Sequence, residues 1–285
     1  MKHDSQLKHN YSTMKNIILH FNSLFEFSKH LSESKLQPNF IGKETSIAKG
    51  EYRTEWTGTA SYEEADRLMK EGDKASMEQL KKYGFEPDVK KYSFAQRRKI
   101  TPAVVGFAPI VPNAIAGVPV AMQAVTSTQA KTKVVNVVIS TAIDHTVKKE
   151  NYIQFAAKVL NGCLTLEKRG VRVNLYIGHF SNSKSNSHIE NGQNFLALIK
   201  IKDSRTAIDP LAVSYPIVNA SFNRRHLFRL METTPGIYKE FAKVHGYPFT
   251  YVSDMKKLLP AAIGNALVFA YYDRNNIEWT FNGVK

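Results

Sequence analysis

The sequence predicts an α/β protein, with a helical N-terminal region followed by an open, mostly parallel sheet with helices on both faces. Three observations carry that prediction. Lys133 to Ser140 (KVVNVVIS) is a nearly continuous β-branched apolar run, the pattern of a strand covered on both faces. Residues 148–169 place Tyr152, Phe155, Ala156, Val159, Leu160, Cys163 and Leu166 at three- and four-residue steps, which is one face of a helix. Val171 to Gly178 (VRVNLYIG) is a second apolar run directly after Gly170. Strand, helix and strand with short connections form a βαβ unit, which implies a parallel pair and a right-handed crossover.

The other elements follow in chain order. The short stretch Ile17-Ile18-Leu19 is broken by His20 and Asn22 and is too brief for a signal peptide. Ser23-Leu24-Phe25-Glu26 is a capping box that opens a helix carrying Phe27 and Leu31 in register. Residues 35–60, with Pro38, Gly42, Gly50 and Gly58, read as loop or short strands around Tyr52 and Trp56. A second capping box, Ser61-Tyr62-Glu63-Glu64, opens a helix through Ala65, Leu68 and Met69 that Gly72 ends; a third helix fits 73–83, with Met77 and Leu80 inward and Gly84 as its stop. After the sheet's first βαβ unit come a strand at Phe195 to Ile201, helical segments at 209–218, 221–232 and 236–245, and terminal strands at Ala266 to Tyr272 and Ile277 to Phe281.

Between the N-terminal helices and the sheet lies a region of different character. Lys90, Lys91, Arg97, Arg98 and Lys99 make a basic connector, and no charged residue follows from Ile100 to Ala130. That stretch is long enough to span a bilayer, but Pro102, Pro109, Pro112 and Pro119 would break a lipid-exposed helix repeatedly. It reads as buried extended chain or as part of an oligomer interface. The organisation expected is therefore residues 1–100, mainly helical; 101–130, proline-rich and apolar; and 131–285, the α/β sheet.

Composition bounds the function classes. A chain of 285 residues with 43% apolar and 22% charged side chains buries a core and is not a disordered polyelectrolyte. One cysteine excludes an intramolecular disulfide framework and a zinc site made of cysteines alone. Lys plus Arg total 39 against 25 Asp plus Glu, a formal +14. From residue 101 to 230 the only acids are Asp144, Glu150, Glu167, Glu190, Asp203 and Asp209. Such a field suits polyanions and acidic protein surfaces alike, and also a plain solvated surface. A cytoplasmic protein with a reduced thiol and no membrane segment is expected.

Ligands in open α/β sheets collect beyond the carboxyl ends of the strands. The first such turn is Ser140-Thr141-Ala142-Ile143-Asp144-His145. A von Willebrand factor A-type domain carries an Asp-x-Ser-x-Ser metal loop at this position. Here Ser140 stands where the first carboxylate is needed and Ala142 removes a hydroxyl, so Ser140, Asp144 and His145 are weak metal candidates beside a polar turn. The loop from His179 to His188 (HFSNSKSNSH) is a second candidate, weighed against a flexible excursion. The third is Arg224, Arg225, His226 and Arg229, a helical stripe that could grip phosphates or acidic side chains, or form a solvated face. Lys90, Lys91, Arg97, Arg98 and Lys99, interleaved with Tyr92 and Phe94, could track a nucleic-acid strand or mark an ordinary linker. No Walker loop, dinucleotide glycine fingerprint, His-Glu-x-x-His or Gly-x-Ser-x-Gly is present, and Cys163 sits on an apolar helix face. No catalytic residue and no cofactor are nominated.

Ser23-Leu24-Phe25-Glu26-Phe27, Trp56-x-Gly58, Ser61-Tyr62-Glu63-Glu64-Ala65 with Leu68 and Gly72, and Gly117-Val118-Pro119-Val120-x-Met122 resemble an uncharacterised family of tailed phages and mobile elements. The resemblance implies a phage protein in a bacterial cytoplasm, with a von Willebrand factor A-like or Rossmann-like α/β region whose metal loop is degenerate. The expected function is a non-enzymatic interaction protein that self-associates and binds a host or phage complex, for instance an inhibitor of an anti-phage defence nuclease. The alternative is a basic nucleic-acid-binding protein of phage DNA metabolism, and a weaker one is a metal-dependent hydrolase.

Overall fold

A computed structural model describes residues 15–47, 54, 56–85, 98–127, 133–144, 146–185, 189 and 192–284. In chain order the elements are β1 (Asn16–Phe21), α1 (Leu24–Glu33), α2 (Tyr62–Glu71), α3 (Lys74–Lys82), β2 (Arg98–Ala103), β3 (Ala108–Pro109), α4 (Val111–Ile115), β4 (Met122–Ser127), β5 (Val134–Ser140), α5 (Lys149–Lys168), β6 (Arg172–Asn182) and β7 (Asn194–Lys202). They continue with α6 (Pro210–Val218), a π-helical segment (Phe222–Leu227), α7 (Phe228–Thr233), α8 (Phe241–Val244), β8 (Tyr247–Pro248), α9 (Val252–Leu258), β9 (Leu267–Phe269) and α10 (Ile277–Asn282). The chain divides into two compact units, Met1–Val89 with Val134–Lys285, and Lys90–Lys133. This differs from the three-part division at 100 and 130, because the N-terminal residues build the same sheet as the C-terminal ones.

The larger unit holds a sheet in the order β1-β7-β6-β5-β9, with β8 added on β6. β1 runs parallel to β7, and β5 runs parallel to both β6 and β9, while β6 and β7 are antiparallel. The sheet is thus mixed but mostly parallel, as expected. β1 adds a strand to the mainly helical N-terminal region: Ile17 and Phe21 are buried in the sheet. Val138, Tyr176, Phe180 and Leu198 face one core with Met255 and Leu258 of α9. Helix α5 packs on β5 and β6, α6 on β7, and the two helices touch each other.

Local chemistry sets the helix starts. Ser23 and Ser61 accept the amides of Glu26 and Glu64, both at 3.1 Å. The two glutamates reach back to the amides of Asn22 and Ala60 at 2.7 and 2.8 Å. Gly72 ends α2 at φ +87°, and a Cβ there would lie 2.4 Å from Leu211 Cγ, so conformation and space both require glycine.

The C-terminus departs from expectation. Ile277 to Phe281 is helix α10, not a strand. The spacing of Ile277 and Phe281 fits alternation and one helix face equally well; packing decides. Phe281 stacks on Phe269 at 4.7 Å and sits where a Cβ on Gly162 of α5 would lie, 2.1 Å from its ring. The preceding strand is only Leu267–Phe269.

Polar residues, Asn182 and Asn194 among them buried, stitch the strands. Asn182 donates to Asn194, and Asn194 donates to Asn16, both at 2.7 Å, a ladder across β6, β7 and β1. Lys202 at the end of β7 is buried; its Nζ pairs with buried Glu167 of α5 and donates to Val173 O at 2.7 Å. Lys202→Met will strand the Glu167 carboxylate in the core and cost about 3–5 kcal/mol in urea unfolding. Adding Glu167→Leu will recover most of that loss, and a double variant as unstable as the single one would refute this account of the pair.

The smaller unit is a three-stranded antiparallel sheet, β2-β4-β3, with the short helix α4. Ile100 pairs with Val125, and Ala108 with Gln123. Its prolines stand where a missing amide is tolerated: Pro102 on edge strand β2, Pro112 in the first turn of α4. A Cβ on Gly106 would meet Gln123 O at 2.0 Å, so the chain passes β4 there only as glycine. The expectation of buried extended chain is overturned. Val105 is 81% and Ile115 83% exposed, and Ile100, Val104, Phe107 and Val111 are exposed as well.

Candidate functional site

At the carboxyl ends of β5 and β6 the register pairs Ser140 with Gly178, and Thr141 N donates to Gly178 O at 3.1 Å. His179 and Ser181 follow on one face of β6. Asn223 Nδ2 donates to Thr141 O at 3.4 Å, and a Cβ on Gly246 would stand 2.9 Å from Ser181 Cβ. Thr141, His179 and Ser181 are buried. Among the described residues, Thr141 Oγ1, both His179 nitrogens, Ser181 Oγ and Asn223 Oδ1 have no hydrogen-bond partner. An unpaired buried polar group costs about 1–3 kcal/mol, and five such atoms lie in this strip. Burial pushes the His179 imidazole down to about 4 and nearby His245 adds to the drop, with the Asn223 side chain opposing it. The ring is neutral at physiological pH, so the strip offers neutral donors and acceptors.

The loop expected from His179 to His188 is therefore strand as far as Asn182, with His179 buried; His188 lies outside the described residues. Apolar partners on both sides of β6 carried the strand past the point where the Ser/Asn composition suggested a turn.

Of the weak metal candidates, Ser140 and Asp144 form no metal site among the described residues. Ser140 is buried at the end of β5. Asp144 Oδ1 accepts the Thr146 amide at 2.9 Å, and the Asp144 amide donates to Tyr272 Oη at 2.8 Å, which is turn chemistry. His145 lies outside the described residues. Among the described residues no group of three or more His, Cys, Asp or Glu is placed to hold a metal ion.

The basic stripe is dismantled by the π-helical segment. Its wider turn takes Arg225 and His226 inward instead of along a solvent face. Arg225 is fully buried: Nε donates to Thr59 Oγ1 at 2.8 Å, Nη1 to Ser46 O at 2.9 Å, and Nη2 to Thr59 O at 2.8 Å and Thr57 Oγ1 at 3.2 Å. His226 is buried among the rings of Phe27, Tyr62, Tyr215 and Phe222. Arg224 stacks over Trp56 at 4.8 Å and donates to the Trp56 carbonyl. These three are fold-holding groups, which corrects the expectation of a phosphate grip. Arg229 alone reaches a surface groove.

A buried acid-base cluster was missed by sequence reading. Glu232 Oε1 accepts the Thr45 amide at 2.9 Å, the Ser46 amide at 3.2 Å and His245 Nε2 at 3.0 Å, and its other oxygen accepts the Ser46 hydroxyl. Burial raises the Glu232 carboxyl, but the hydrogen bonds from His245, Ser46 and Thr45 outweigh it and hold the group below its ordinary value. His245 lies on the Phe228 ring at 4.1 Å. The arrangement is not a nucleophile triad. Ser46 is bonded to the carboxylate and not to the imidazole, and Thr45 Oγ1 and Glu232 both meet the same nitrogen, Nε2. Two residues around 45 and two around 232–245 carry no joint signal in the sequence.

Of the basic connector, Lys90, Lys91 and Arg97 lie outside the described residues. Arg98 and Lys99 begin β2, their backbones paired with Ser127 and Thr126. The unit Lys90–Lys133 contains Lys90, Lys91, Arg97, Arg98, Lys99, Lys131 and Lys133 and no Asp or Glu, so it carries +7 of the chain's +14. Among the described residues no helix is long and apolar enough to cross a membrane.

No curated protein and no solved structure matches the chain. The family model of a domain of unknown function, DUF7192, matches residues 5–285, and the chain belongs to that family.

Proposed function

We propose that this chain is a non-enzymatic interaction protein whose Lys90–Lys133 unit docks on an acidic macromolecular partner. One observation carries the reading: that unit combines exposed aliphatic side chains with seven cations and no acid. Exposed apolar patches on this scale mark interaction surfaces, and single-sign charge selects the opposite sign. The resemblance to phage and mobile-element proteins supplies the setting, a host or phage complex, with a defence nuclease as one concrete target. Self-association through the same unit would oppose +7 to +7, so the reading places the acidic partner first.

Affinity purification from infected host cells tests it, comparing the wild type with Val105→Asp/Ile115→Asp. Both side chains are exposed, so the fold is unchanged, and the double variant will lose its captured partner. Equal capture by both proteins would sink the reading. Nucleic acid is the second reading, favoured by the same +7. Fluorescence anisotropy with a duplex oligonucleotide separates the two: phosphate contacts predict binding that falls steeply with salt, by about 10³ or more for six contacts between low and physiological salt. The protein-partner reading expects only weak retention.

A further inference from the structure

Helices α1 and α2, Ile47 and the first turn of α7 line a groove of about 870 Å³ in the larger unit. This lies within the roughly 300–1,000 Å³ of small-molecule sites. Its apolar surface comes from Leu24, Phe25, Leu31, Ile47 and Met69. Leu31 and Met69 are buried and form the floor; Phe25, 78% exposed, stands at the mouth.

The polar groups in the groove differ in what they already hold. Lys70 pairs with Asp66 at 2.6 Å, and Lys29 lies 3.9 Å from Glu33. Arg229 is half-buried, and among the described residues no side chain or carbonyl accepts a hydrogen bond from its guanidinium. Tyr62 also lines the groove, and no partner of its hydroxyl is found among the described residues. Its ring is held edge-on against His226 at 5.3 Å. Burial raises the Tyr62 phenol above its ordinary value, so it stays a donor, and the charge of Arg229 acts on it. A planar guanidinium and a phenolic O–H lining one groove are a donor set for one carboxylate, and the apolar walls suit an aliphatic body.

We propose that this groove binds a small aliphatic carboxylate, its head on Arg229 and Tyr62 and its chain over Leu31 and Met69. The charged head and the apolar floor are separate requirements, and the test reads them separately.

Isothermal titration calorimetry on the full chain uses decanoate, with 1-decanol and acetate as comparators. Decanoate will bind, acetate will not, and decanol will bind at least about ten-fold more weakly, the loss of a charge-assisted hydrogen bond. Arg229→Met will weaken decanoate at least about ten-fold while leaving decanol unchanged. Phe25→Ala, at an exposed position, will weaken both. Circular dichroism melts of the variants serve as the folding control. No decanoate binding at millimolar concentration, equal affinity for decanol, or an unaltered Arg229→Met would each overturn the proposal. So would an acidic peptide displacing decanoate with higher affinity, since that would make the groove a protein-docking surface. Partner capture by Val105→Asp/Ile115→Asp is unaffected by any of these outcomes.

Discussion

Arg225→Met will destabilise the larger unit by about 3–5 kcal/mol, with a fall in melting temperature on the order of 10 °C. The guanidinium is fully buried and satisfies two carbonyls and two hydroxyls on the segment from Ser46 to Thr59. Methionine fills similar length but donates nothing, so Ser46 O, Thr59 O, Thr57 Oγ1 and Thr59 Oγ1 lose a buried donor together. Ser46, whose carbonyl Arg225 holds, also holds Glu232 with its amide and hydroxyl, so the loss reaches that carboxylate too. Arg224→Ala, on the neighbouring residue, gives up an exposed stacking contact on Trp56 and will cost about 1 kcal/mol or less. Chemical denaturation of the two variants checks the contrast. Comparable losses would mean that Arg225 acts as surface charge, as the helical-stripe reading had it.

Stability will fall steeply as pH drops from 6.5 towards 4. Burial pushes both His179 and His226 down to about 4, and the opposing pull of the Asn223 side chain on His179 and of the Ala65 backbone on His226 is smaller. Their unfolded value is near 6.5, so between the two values the unfolded chain binds more protons than the folded one. The contribution is fully present above 6.5 and is lost as pH falls. It is worth about 3 kcal/mol per histidine once both values are passed. His20 and His30 shift in the same direction from partly exposed positions, and the lowered Glu232 carboxyl adds to the loss at still lower pH. The groups facing His226 are Tyr62, Tyr215, Arg225, Asp66 and Lys70; those facing His179 are Asn223, His245 and Phe195. His226→Phe keeps a ring among the aromatic neighbours and removes one titrating site. Urea midpoints measured from pH 7 to 4.5 will show a shallower slope for His226→Phe, by up to about 1.4 kcal/mol per pH unit. Parallel curves for the variant and the wild type would show that His226 does not take up a proton on unfolding.

Much of the fold was legible because it rests on local rules. The β-branched run at 134–140, the helical spacing of 149–168 and the two serine capping boxes each specify an element from neighbouring residues alone. The failures share one cause, that the deciding contact comes from far along the chain. Ile17–Leu19 became a sheet strand only because β7 lies beside it. Ile277–Phe281 became a helix because Phe269 and Gly162 receive Phe281. His179–Asn182 stayed strand because Ala197, Leu196 and Phe195 of β7 pair with it and the Asn182–Asn194 contact closes its end.

The site residues divide in the same way. By itself, the sequence determined the α/β class, the charge excess, the single cysteine and the uncharged, proline-punctuated stretch after the basic connector, since these follow from composition and short-range period. Only the tertiary structure decided what the charges do. A π-helical turn buries Arg225 and His226 and leaves Arg229 facing a groove, and Glu232 finds Ser46 across nearly two hundred residues of chain, with His245 closing on the same carboxylate. Burial and long-range hydrogen bonding set the cost of each charge, and neither is encoded in the spacing of neighbours.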